Sequence, residues 1–154
     1  MSGAFDKYLH EVLIRGQAEA RAESSATIEA HHVLLAMAGP EDTEARTILA
    51  TAGLDQAGVR AALRREFEHS LAAAGVSAAV FDLRSTPDPE LRPQVGASVK
   101  LALERLASTH RKKDLRPVHV LLGVLQAEVG TVPRALALAG VDRAALAERA
   151  RATL

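Results

Sequence analysis

Apolar residues near the start of the chain fall at Phe5, Tyr8, Leu9, Val12, Leu13 and Ala20. That is the three- and four-residue spacing of one helical face, so the pattern predicts a helix through FDKYLHEVLIRGQAEARAE. EAHHVLLAMA, beginning at Glu29, is apolar without alternation and predicts a short buried helix that stops at Gly39-Pro40. DTEARTILATAG predicts a third helix, with Gly53 placed for a left-handed cap after its last turn. LDQAGVRAALRREFEHSLAAAG predicts a longer amphipathic helix, with Asp55 as N-cap and Gly75 as its stop. Residues 75–93 then carry Pro87, Pro89 and Pro93, which rules out one continuous helix and predicts a linker. Within it, AAVFDL reads equally as an extended segment or a short turn.

The same scheme then recurs. HVLL stands at His32–Leu35 and again at His119–Leu122, an offset of 87. Holding that offset, Ile28 meets Leu115, Glu41 meets Glu128, Leu49 meets Leu136, and Ala52–Asp55 (AGLD) meets Ala139–Asp142 (AGVD). No gap is needed, so the chain reads as an internal duplication. The second copy predicts helices through VGASVKLALERLASTHRKK, PVHVLLGVLQ, VPRALALAG and DRAALAERARATL, with Gly140 and Asp142 placed as Gly53 and Asp55 are. The expected fold is all-α: a pseudo-twofold eight-helix bundle of two four-helix repeats within one domain, 1–154. Repeat one spans 4–74, the linker 75–93 and repeat two 94–152.

Composition narrows this picture. Aromatics make up 3% of residues and Ala about a fifth, so the core is built from Ala, Leu and Val in closely packed helices. Nineteen basic and nineteen acidic side chains give zero formal charge, unlike the basic excess of a general nucleic-acid binder. There is no cysteine, hence no disulfide and no thiolate metal ligand. No apolar run reaches the roughly 20 residues needed to span a bilayer, and the N-terminus lacks a signal-peptide pattern. A soluble, cytoplasmic protein is expected.

Candidate chemistry is sparse. His32 and His119 invite a metal reading because His31 adjoins one of them. Adjacent helical side chains point about 100° apart, however, and neither has a ligand at i+4. Both are expected to be half-buried imidazoles that bond a backbone carbonyl and lock two helices; no metal or cofactor is expected. His10, His69 and His110 read as surface residues. No GxSxG, no Ser-His-Asp pattern and no Walker loop occurs, so no enzyme is expected. HRKKDLR, from His110 to Arg116, is the one basic cluster.

At these positions the chain resembles a family. FDKYLHEVLIRGQAEA is similar to the opening FTxxAxxVLxxAxxEA of Clp-family ATPase N-terminal domains. IEAHHVLLAMAG and LRPVHVLLGVLQ resemble that family's IGTEHILLGLL element, and ILATAGLD and ALALAGVD its iLxxlGvd element. The resemblance covers about residues 4–152 and is nearest the ClpC/ClpA type. It implies a domain that docks substrates and adaptors for an AAA+ unfolding motor. These 154 residues carry no AAA+ module, so a stand-alone or excised copy is expected. Partners implied are Clp substrates, adaptors, a Clp ATPase and cyclic peptide antibiotics; neither nucleic acid nor membrane is expected.

The resemblance also implies sites. In the ClpC branch the Glu of TEH in each repeat helps bind phosphoarginine; the matching positions here are His31 and Val118, neither of them a carboxylate. A second surface, where helices one and five begin, accepts cyclic peptides in some relatives. It implies a peptide site of Phe5, His10, Leu91, Arg92 and Pro93, with Phe5 protruding as anchor; the competing reading has Phe5 stapling its own helix to the bundle. His32, His119, Gly53 and Gly140 are expected to be structural. The leading function is a non-catalytic peptide-binding module of the Clp system, acting as a regulator or decoy. The alternative is a DNA-associated helical regulator using HRKKDLR and RAALRREFEH; a His-based metallohydrolase is the weakest reading.

Overall fold

Eight α-helices supply nearly all the regular structure of the computed structural model, which describes residues 3–75 and 88–154. They are α1 (Gly3–Ala22), α2 (Ala30–Met37), α3 (Glu44–Thr51), α4 (Gln56–Ala73), α5 (Ala97–Thr109), α6 (Pro117–Leu125), α7 (Thr131–Leu138) and α8 (Arg143–Arg151). The protein is thus an all-α bundle. AAVFDL lies outside the described residues.

The duplication is visible in three dimensions. The bounds of α3 and α7 differ by the sequence offset at both ends, and α2 and α6 start at matching positions. Asp55 accepts the Gly58 N–H at 2.8 Å and Asp142 the Ala145 N–H at 3.0 Å, so the same cap opens α4 and α8. Gly53 and Gly140 both take φ 73°, a left-handed conformation costly for any residue with a Cβ, and so end α3 and α7 alike.

The repeats diverge at their first helix. α1 starts at Gly3, whereas α5 starts only at Ala97. The residues before α5 form strand β2 (Gln94–Val95), which pairs in parallel with β1 (Thr27–Ile28). After α5 the chain leaves the helix at His110, and Lys112–Asp114 form a 3₁₀ turn rather than extending α5.

The core lies along α2 and α6. Leu34, Leu121 and Leu125 on them, with Leu49 and Leu136 on α3 and α7, are among the largest fully buried side chains. Each such leucine contributes about 1.5–3 kcal/mol of burial free energy. α1 lays one stripe on this core: Phe5, Tyr8, Val12, Gly16 and Ala20.

Candidate functional site

The repeated histidine sits at the third position of its helix, and its Nδ1 reaches back to the backbone. His32 Nδ1 accepts the Glu29 N–H at 2.9 Å, and His119 Nδ1 accepts the Arg116 N–H at the same distance. This is the side-chain half of a capping box, with imidazole doing the work of Glu or Gln. It corrects the expected bond to a carbonyl: an Nδ1 that accepts is unprotonated, so each ring is neutral. Nor is either ring half-buried; both are buried, His32 completely.

The outward nitrogen differs between the copies. His32 Nε2–H donates to Glu23 Oε2 at 2.6 Å, and His31 Nε2 lies 3.2 Å from the same oxygen. The two rings are 4.0 Å apart. Glu23 reaches them from the turn after α1, where Ser24 takes φ 58°. Burial raises the carboxyl's pKa, but the hydrogen bonds from His31 and His32 outweigh it and hold the group at about 2. The three donors lie within 4.8 Å of one another. A metal at His32 Nε2 would displace the proton held there and leave both ring nitrogens bare, so the set fits a proton-bearing closure better than a cation site.

His119 has His110 against it instead, the rings 4.3 Å apart and edge-on. Burial, then the nearby His110, lowers its pKa. A group whose folded pKa is depressed contributes stability that is present above the unfolded value and lost as pH falls through it. Stability is therefore expected to decline below about pH 6.5. His119→Gln, whose amide oxygen can accept the same N–H, should flatten that decline; urea midpoints at several pH values check it.

Beside the start of α2 runs a groove of about 280 Å³. It is lined by Glu29 and His31 at the start of α2, by Ser98, Leu101 and Arg105 of α5, and by Ala127 to Pro133, from the α6–α7 connection into the first turn of α7. Glu29 links α2 to α5. It accepts Ser98 Oγ–H at 2.6 Å and Thr27 Oγ1–H at 2.6 Å, while Ser98 Oγ accepts the Ala30 N–H at 2.7 Å. Burial opposes its charge, but these bonds prevail and its pKa is lowered. Two apolar side chains stand open to solvent here, Leu101 at 50% and Val129 at 86% exposure.

The residues named as a peptide site are not gathered in one place. Phe5 is 6% exposed, part of the buried α1 stripe, so it does not protrude. The Leu91 and Pro93 carbonyls accept from Arg21 Nε and Gln17 Nε2 at 3.0 and 3.1 Å, at the far half of α1. Twelve residues separate Phe5 from Gln17, about 18 Å of helix. His10 is exposed in the first half of α1, and Arg92 is exposed beside the strand that replaces the expected start of helix five. Of the phosphoarginine positions, His31 lines the groove whereas Val118 is completely buried. Arg116, which matches Glu29 in repeat two, reaches the Glu44 carboxylate and, at 3.2 Å, the Thr153 carbonyl. In the basic cluster, Lys112 pairs with Asp6 at 3.4 Å.

Residues 4–87, more than half of the chain, match the Clp repeat (R) N-terminal domain. The chain belongs to the Clp repeat N-terminal domain family. It is thereby a module of the Clp system, in a family that is non-catalytic. No curated protein matches it. A solved structure from "Preliminary structural investigations of a malarial protein secretion system" superimposes with a TM-score of 0.60 at 17% identity, over 92% of this chain and 88% of that one. At that identity the likeness shows a shared fold. No helix among the described residues of this Clp repeat domain is long and apolar enough to cross a membrane.

Proposed function

We propose that this Clp repeat domain is a non-catalytic docking module that holds polypeptide segments in the groove beside α2. The observation that carries the reading is that Leu101 and Val129, both exposed, line one groove whose Glu29 and Ser98 are already hydrogen-bonded to each other. Exposed apolar side chains rimmed by polar groups mark sites of protein contact. The Ser98 hydroxyl and the histidines are already engaged within the fold. Ser98 Oγ accepts from Ala30 and donates to Glu29, and both histidines at the start of α2 face Glu23. The family supplies the setting, a Clp ATPase or its adaptors and substrates as partners. Phosphoarginine is not favoured, because His31 and Val118 provide no carboxylate for a guanidinium.

Binding of labelled, unstructured peptides to the 154-residue chain, read by fluorescence anisotropy, tests this. Leu101→Asp with Val129→Asp is expected to weaken binding at least tenfold while circular dichroism stays unchanged, since both side chains are exposed. Unchanged affinity in the double variant would move docking away from this groove.

A further inference from the structure

The groove's charges select among segments that its apolar side chains alone would not distinguish. Glu29 is held ionised by the three donors of Thr27 and Ser98. A carboxylate offers about four acceptor positions, so these donors leave one open. Glu128, also on the lining, is exposed and has no hydrogen-bond or ion-pair partner among the described residues. A third carboxylate, Glu23, stands behind His31. Against these the lining holds one permanent cation, Arg105, which donates to the Gly123 carbonyl at 2.9 Å. The N-terminus of α7 opens on the same groove with no side-chain cap, and its dipole is worth about half a positive charge. Two whole carboxylates on the lining outweigh that half charge together with Arg105, and Glu23 adds to the excess.

From this geometry we infer that the preferred occupant is a cationic polypeptide segment, with a lysine or arginine beside a branched apolar residue. The cation lies against Glu128 and the remaining acceptor of Glu29; the apolar side chain lies between Leu101 and Val129. The inference rests on the docking reading and specifies its ligand class. An acidic or phosphorylated segment meets like charge at Glu29 and Glu128.

Three labelled peptides of equal length test it on the full chain, each with a Leu-Val pair flanked by Lys-Arg, by Gln-Gln or by Glu-Glu. The Lys-Arg peptide is expected to bind about three- to tenfold more tightly than the Gln-Gln peptide, the range of one or two exposed ion pairs. That preference should shrink as salt is raised. Glu128→Lys, a change at an exposed position, should abolish or invert the order. Equal binding of all three peptides, tighter binding of the Glu-Glu peptide, or an order unmoved by Glu128→Lys overturns the charge inference alone. No binding by any of them overturns the docking reading as well.

Discussion

His32→Ala is expected to cost the fold about 3 kcal/mol, a large part of the 5–15 kcal/mol that holds a typical domain together. Three losses combine. The Glu29 N–H loses its acceptor, the ring's hydrogen bond to the Glu23 carboxylate disappears, and a fully buried side chain leaves a void. A stranded buried donor costs about 1–3 kcal/mol and a hydrogen bond to a charged group is worth about 1.5–3 kcal/mol. The sum is held down because Glu23 is half-exposed and keeps His31. His119→Ala removes the same cap and a similar volume but no carboxylate bond, so it should cost about 1 kcal/mol less. Urea unfolding of both variants measures the difference. A cycle with Glu23→Gln should then return a coupling to His32 and none to His119. Equal losses in the two variants would mean that Glu23 adds nothing to the cap.

Much of this fold is written in local pattern. A period of three to four residues placed the helices, and the offset between the HVLL segments carried over from α2, α3 and the Asp55 cap to α6, α7 and the Asp142 cap. What the pattern does not contain is the pairing of short elements. β1 and β2 are two residues each, too short for any periodicity, and their pairing delays α5 to Ala97. The strand pairing holds Leu91, Arg92 and Pro93 along the far half of α1, away from Phe5. Phe5 was legible, since it shares the stripe of Tyr8 and Val12, and that stripe already turns it inward.

The groove and the His31–His32–Glu23 closure were illegible for a different reason. Each is assembled from elements distant in sequence, joined by single contacts such as Ala30 to Ser98. Two adjacent histidines diverge when only their Cα–Cβ directions along the helix are counted. Their rings converge here because His32 is pulled back onto its N-cap while a left-handed Ser24 swings Glu23 over both. The one sequence signal was the change from TEH to AHH at the matching position, where a carboxylate gives way to an imidazole.

Gly123→Val is expected to be as damaging as His32→Ala, again by about 3 kcal/mol or more, through overpacking. A Cβ at Gly123 would stand 2.7 Å from the Ala102 carbonyl oxygen and 3.3 Å from its carbon. Those are backbone atoms of α5, so no side-chain rotation relieves the clash and the two helices must separate. Arg105 donates to the Gly123 carbonyl across the same crossing and resists that separation. In repeat one the matching position is Ala36, which is buried and keeps its methyl group. Helix propensity alone would favour alanine at both positions by about 1 kcal/mol, so glycine in HVLLGV is the cost of bringing α5 close. Gly123→Ala should therefore lose less than Gly123→Val, its propensity gain offsetting part of the clash. Because Leu101, Ser98 and Arg105 ride on α5, the valine variant should weaken peptide docking along with stability. Thermal unfolding and peptide anisotropy on the same samples read both effects, and a valine variant of unchanged stability would show that α5 does not pack this closely on α6.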